Sequence, residues 1–249
     1  MKAIVLTCDK YRPFTIHMIK TFQTHWPNNP FQFYVPYQQD ADSLIAEYGN
    51  KVVPTLTERP IRKTVLTLLD LCHDEEWIYW SIDDKYIIDL ALPEATEVTE
   101  WISTINDPSI TIVSLSRCRS LLEKWNIKQN SEIKLPSGLP LIESKGLRHM
   151  WLHQFMRARI LKKIFNTFPD YDYQAKEQDS FSQWHKSLLS EHEKVYVPQN
   201  NLIAFGESTT QGRITNVCVA SFTRYGISVP QEFLPACTYA PSIGTINRK

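Results

Sequence analysis

Along the first 82 residues, short uninterrupted apolar runs alternate with longer segments whose apolar positions recur every three to four residues. The runs at 3–7, 31–35, 51–54 and 77–82 read as strands buried on both faces, the usual state in a parallel sheet. The segments at 14–25, 41–48 and 61–72 read as helices. In the last of these, Ile61, Val65, Leu68, Leu69 and Cys72 share one stripe. Pro13 sits where a helix can begin, Pro27-Asn28-Asn29-Pro30 is a turn, and Gly49-Asn50 stops the second helix. A βαβαβαβ order of this kind predicts a largely parallel central sheet flanked by helices, an α/β fold. Further on, the pattern predicts a helix over 94–105 and a strand over 111–115. The polar stretch 126–140, with Pro136, Gly138 and Pro140, predicts a loop or short hairpin. The strongest helical stripe covers 147–165, through Leu147, Trp151, Phe155, Ala158, Leu161 and Phe165. A helix over 180–193, strands over 194–197 and 202–205, and a loosely packed, proline-bearing tail over 230–249 complete the reading.

Composition narrows the class. The chain has 249 residues, with 27 Lys plus Arg against 27 Asp plus Glu. It is long enough for one α/β domain. The balanced charge gives no footprint of a nucleic-acid binder. Five cysteines, an odd number with none closely spaced, argue against a disulfide framework or a cysteine zinc site. They point to a reducing, cytoplasmic setting. The apolar start is too short for a signal peptide, and no run approaches the ~18 residues of a membrane span. Any membrane contact is expected to be peripheral.

Familiar phosphate-binding motifs are missing: there is no Gly-x-Gly-x-x-Gly and no P-loop among only seven glycines. The positive signal is the end of the 77–82 run, where Asp83 and Asp84 follow directly. Ligands of open α/β sheets collect at the carboxyl ends of strands. Two adjacent carboxylates there suit Mg²⁺ or Mn²⁺ shared with a diphosphate, although aspartate is also common in turns for backbone reasons. Thr7, Asp9 and Tyr11 close the first strand on the same edge, with Tyr11 available for stacking. Arg59, Arg62 and Lys63 open a helix against its dipole, which hints at an anionic partner. On the expected helix over 147–165, His149 and His153 stand four apart with Arg157 beyond, so His153 is a candidate metal ligand. That helix carries five cations and no acid, a face for anionic lipid or simply for water. Asp170, Asp172, Glu177 and Asp179 follow it. A transfer to a hydroxyl needs one carboxylate as base, and Asp179 and Glu177 are the candidates.

Three stretches, Ile4-Val5-Leu6-Thr7-Cys8-Asp9-Lys10-Tyr11, His25-Trp26-Pro27 and Ser81-Ile82-Asp83-Asp84-Lys85-Tyr86, resemble small glycosyltransferases of the GT-A fold over roughly the first 90 residues. The resemblance implies a nucleotide-sugar donor, a glycan or other hydroxyl acceptor, and a single domain. Residues 1–115 would form its nucleotide-binding half, 116–229 its acceptor-binding half and 230–249 a tail. Asp83 and Asp84 match the family's Asp-x-Asp-type acids, which hold Mn²⁺ or Mg²⁺ and touch the ribose. Thr7, Asp9 and Tyr11 match the family's nucleoside-binding edge and Asp179 its base. Beside the resemblance, Arg62 and Lys63 are the cations expected to meet the donor, and the presence of candidate bases points to an inverting transfer. Here the motif reads Asp-Asp-Lys, so Lys85 could stand in part for the ion. Two other readings stay open: a nucleotidyltransferase, and a carbohydrate- or protein-binding module without chemistry.

Overall fold

The computed structural model describes residues 1–117, 127–147, 149–172, 177, 188–238, 242–243 and 246. The chain begins with β1 (Lys2–Leu6), α1 (Arg12–His25), β2 (Gln32–Tyr37), α2 (Asp42–Tyr48), β3 (Val52–Leu56), α3 (Ile61–Leu69) and β4 (Trp77–Ile82). These elements match the alternation read from the sequence, and β4 matches to the residue. They are followed by β5 (Lys85–Leu90), α4 (Leu92–Thr104), β6 (Ile110–Ser114), β7 (Ile127–Lys134), β8 (Pro140–Ser144), β9 (Gln154–Arg157) and α5 (Ala158–Phe165). The last described elements are β10 (Lys194–Pro198), β11 (Ile203–Glu207), β12 (Thr209–Thr210), β13 (Arg213–Ile214), α6 (Asn216–Tyr225) and β14 (Ser242–Ile243).

Nine of these strands form one sheet in the order β3-β2-β1-β4-β9-β6-β10-β8-β7. Strands β1, β2, β3 and β4 are parallel neighbours, with Ala3 opposite Tyr79 and Leu6 opposite Ile82. Strand β9 runs antiparallel to both β4 and β6, and β8 antiparallel to both β10 and β7. The fold is therefore mixed α/β with a mostly parallel core. Pro54, which has no N–H to give a ladder, lies on the edge strand β3.

Every residue of β4 is buried. Tyr79 packs with Phe22, Phe31 and Phe155 on one face of the sheet. Ile78 and Trp80 pack with Val65, Leu68 and Phe165 on the other. Each such side chain removed from water contributes about 1.5–3 kcal/mol. The Trp80 indole keeps its hydrogen bond by donating to the Met150 carbonyl at 2.8 Å. A third cluster joins α1, β5 and α6 through Phe14, Tyr86, Cys218 and Phe222.

Three expectations need correction. The segment 147–165 is not one helix. Its first half is irregular, 154–157 is strand β9, and only Ala158–Phe165 is helical. The apolar stripe was real over α5, but all four residues of β9 are buried inside the sheet. Even Arg157 is buried: its guanidinium lies 4.5 Å from the Trp77 ring and donates to the Glu75 carbonyl at 2.6 Å. The cations of α5 do not form an open basic face either. Arg159 pairs with Glu75 and Glu193, Lys162 with Asp74, and Lys163 with Glu193.

The second correction concerns the proline-bearing end, whose described part is packed. Phe233 is buried, Cys237 exchanges backbone hydrogen bonds with Ile214 and Asn216, and Ser242–Ile243 pairs with β11. The third is β5, in a stretch for which the sequence pattern predicted no element. It leaves the main sheet and pairs antiparallel with β11. The expected hairpin is present as β7 and β8, and α6 was not foreseen. Of the helix expected over 180–193, residues 180–187 lie outside the described residues, and 191–193 form a turn ahead of β10. Among the described residues, no helix is long and apolar enough to cross a membrane.

Gly206 on β11 lies directly under Tyr86, and an added Cβ would come within 2.5 Å of the Tyr86 ring. Gly206→Ala is expected to destabilise the fold by about 1–3 kcal/mol through overpacking. A lower urea midpoint at unchanged slope would show it.

Candidate functional site at the carboxyl ends of the first and fourth strands

β1 and β4 end side by side, and their pairing continues one step beyond the strands: the Asp83 amide donates to the Leu6 carbonyl at 3.2 Å. Asp83 thereby stands abreast of Thr7, whose hydroxyl lies 2.5 Å from Asp83 Oδ2 and 2.7 Å from Thr15 Oγ1. Asp83 and Asp84 form the two-residue turn that passes the chain from β4 to β5. The two neighbours differ sharply. Asp83 is 7% exposed, and burial first, then the charge of Asp84, pushes its carboxyl up to about 8. The Asp84 side chain is 35% exposed, with Oδ2 2.7 Å from Lys85 Nζ. Its other oxygen, Oδ1, is buried without a hydrogen-bond partner. Lys85 is buried and also reaches Glu207 Oε1 at 3.6 Å. Burial works to lower its affinity for a proton, but Asp84 and Glu207 together raise it. The Ser208 amide, just after Glu207, donates to the Asp84 carbonyl at 2.8 Å and ties the turn to the end of β11.

Asp9 reaches the same edge but is engaged in holding it. Its carboxylate accepts from the amides of Gln38 at 3.1 Å and Gln39 at 2.8 Å, and from Arg12 at 2.7 Å. The Gln38 side chain accepts from the Asp9 amide and donates to Thr57, so the ends of β1, β2 and β3 are joined. The Tyr11 ring is not free for stacking along its length: it packs against Phe233 at 5.3 Å and Phe14 at 6.0 Å. Burial, then the charge of Asp83, pushes its phenol up.

Arg62 and Lys63 lie in the first turn of α3, the helix that follows β3. Lys63 pairs with Glu58 at 2.7 Å, while Arg62 is half-buried with its Nε unpartnered. The Lys63 ammonium is held up first by its hydrogen bond to Glu58 and also feels the charge of Asp170. Glu177 is helical and half-buried; Asp179 lies outside the described residues.

His153 departs most from expectation. It is not on a helix with His149 but in the turn before β9, wholly buried. Its ring stacks on Phe22 and meets Phe205, and both nitrogens are closed off from solvent. That placement does not suit a metal ligand. His149 is half-buried and lines a ≈ 20 Å³ cavity with Ser114, Ser116, Ser144 and Gln154. A space of this size admits one water.

Sequence reasoning missed Glu207 and Thr15. Glu207 gave no local signal, being brought to Lys85 only by the β5–β11 pairing. Thr15 falls one helical turn past Tyr11, a spacing that could have placed its hydroxyl near the strand end.

Among the described residues, no three His, Cys, Asp or Glu side chains are grouped to hold a metal ion. A divalent cation nevertheless fits the pair present. Mg²⁺ commonly takes one or two carboxylates and completes its shell with water and phosphate. Asp84 has an oxygen without a partner, and Asp83 holds its proton through burial beside a like charge, which a nearby cation would relieve.

No protein-family model and no curated protein matches the chain. Solved structures do. The galactosyltransferase LgtC in complex with donor and acceptor sugar analogs is 12% identical, over 76% of this chain and 66% of that one, at a TM-score of 0.38. Residues 1–349 of S. aureus TarS are 14% identical, over 82% of this chain and 59% of that one, at 0.48. The Francisella tularensis 2-C-methyl-D-erythritol 4-phosphate cytidylyltransferase is 12% identical, over 84% and 94%, at 0.41. The chain thus spans less than two thirds of the length of the first two. At these identities the likeness does not reach the chemistry.

The buried acid makes a pH prediction. An unfolded aspartate titrates near 3.8 and folded Asp83 near 8. Between these values the folded chain keeps a proton that the unfolded chain has lost, so stability falls as pH rises from 4 towards 8. The buried His17 and His153, pushed down to about 3 by burial, act oppositely and cost stability as pH falls from 6.5 towards 3. Asp83→Asn keeps an oxygen for Thr7 and removes the first effect. Its melting temperature should decline less than wild type between pH 5.5 and 8; parallel profiles would refute the assignment.

Proposed function

We propose that this edge binds a nucleotide-sugar and that the protein transfers its sugar to the hydroxyl of a glycan or other acceptor. The observation carrying this reading is the pair Asp83 and Asp84 at the end of the doubly buried β4, abreast of Thr7, with one Asp84 oxygen buried and unpaired. The likeness of residues 1–90 to GT-A glycosyltransferases supports it. In this reading residues 1–115 form the nucleotide-binding half and 116–229 the acceptor-binding half of one domain.

Asp84, assisted by Asp83, would hold Mn²⁺ or Mg²⁺. When bound, the ion supplies positive charge to the diphosphate as it leaves. The chain's own residues do the rest. The hydroxyl of Thr7 fixes the Asp83 carboxyl. Lys85, itself fixed between Asp84 and Glu207, orients the Asp84 carboxylate and limits the charge the turn presents to a diphosphate. Arg62, half-buried in the first turn of α3 with its Nε unpartnered, would offer a cation to the anionic donor. Asp179 or Glu177 would take the acceptor's proton in an inverting single displacement. A nucleotidyltransferase is less well served, because the first loop, 7–13, carries Lys10 and Arg12 but no glycine to hold a triphosphate, and Arg12 is bound to Asp9 and the Asp40 carbonyl.

Calorimetry with UDP, GDP, CMP and dTDP sugars, with and without Mn²⁺, tests the reading. Binding of one donor should strengthen with Mn²⁺, and Asp84→Ala should remove that gain with the fold intact. Transfer that survives saturating EDTA would overturn the metal's part. Binding of glycan without any nucleotide would replace the enzyme by a binding module.

A further inference from the structure

Strand β4 owes its far end to a side chain. On one side β1 pairs with it through Ile82, and the Leu6 carbonyl then takes the Asp83 amide. On the other side β9 pairs only from Trp77 to Trp80, because β9 begins at Gln154. Successive residues of a strand turn their backbone polar groups to opposite sides, so Ile82 directs both of its groups to the place where β9 has not yet started. The imidazole of His153, one residue before β9, fills that place. Its Nε2 lies 3.0 Å from the Ile82 nitrogen and 2.9 Å from the Ile82 oxygen. The ring cannot swing away, being wholly buried between Phe22, Tyr79 and Phe205.

We infer that His153 is a positioning residue: it completes the last rung of β4 and so fixes where Asp83 and Asp84 project. The peptide before Asp83 is then gripped from both sides, by His153 at Ile82 and by Leu6 at Asp83. The inference rests on reading the acid pair as the donor site, and it extends that reading to a residue that touches neither donor nor ion. Burial keeps the imidazole neutral, so Nε2 makes one of the two bonds, accepting from the Ile82 N–H, which only the neutral ring can do, or donating to the Ile82 carbonyl.

The test uses the full chain and two variants. His153→Phe keeps the ring packing and loses the hydrogen bond; His153→Gln keeps an amide that can make it. Amide hydrogen exchange at residues 82–84 should quicken roughly 10-fold or more in the phenylalanine variant, with β2 and β3 unchanged, and should return towards wild type in the glutamine variant. Affinity for the donor found by calorimetry should follow the same order, with a loss of about 10-fold, the lower end for residues supporting a site from behind. Unchanged exchange at 82–84, or loosening spread evenly over the sheet, would overturn the inference. Should the phenylalanine variant not fold, nitrogen shifts of the wild-type imidazole decide. A ring that stays neutral and hydrogen-bonded from pH 5 to 8 supports the role, and one that titrates near 6.5 overturns it. If no nucleotide binds the wild-type chain, the functional reading fails, while the exchange result still judges the positioning role alone.

Discussion

Strand β4 offers no side chain to water: from Trp77 to Ile82 both faces are covered, by the Phe22 and Phe31 rings on one side and by α3 and α5 on the other. Charge is excluded from it until the sheet ends, and the first position at which a carboxylate can be accommodated is Asp83. The neighbouring β1 obeys the same constraint after Lys2: it is apolar from Ala3 to Leu6, and Thr7 is the first polar residue beyond its carboxyl end. Because the two strands are parallel and in register, Thr7 and Asp83, just past their carboxyl ends, meet. The chemistry proposed for this protein therefore depends on how far two buried strands run before the core stops covering them.

That same boundary gives the acid pair its asymmetry. Asp83 remains under the cover of the core and holds its proton; Asp84 has turned the corner and meets Lys85. The lysine is held in turn by Glu207 from β11, so the second, smaller sheet sets the charge of a turn that belongs to the first. Removing charge here is not a local matter: β5, which carries Lys85, is locked to β11 by the fit of Tyr86 over Gly206.

How much of this could be read from the sequence follows from how local each signal is. The nearly uninterrupted apolar run of 77–82 suits a doubly buried strand, and the alternation before it placed Thr7 and Asp83 on one edge. The stripe from Leu147 to Phe165 misled because period alone does not separate a helix from an irregular turn plus a short strand when both are buried. Arg157 looked like a surface cation, yet it is covered by Trp77 and engaged with backbone carbonyls. His153 looked like one of a helical pair and proved to be part of the core. Glu207 lies more than a hundred residues from Lys85, and nothing beside it in the chain announces the partnership.

Asp9 fastens three strand tops with one carboxylate, through Gln38, Gln39, Arg12 and, by way of Gln38, Thr57. The carboxyl ends of these three strands are consequently tied to one another rather than standing as separate loops. If a ligand binds here as proposed, it would meet a frame already drawn to shape, and selectivity on that flank would come from rigid outline rather than from loops folding over the guest.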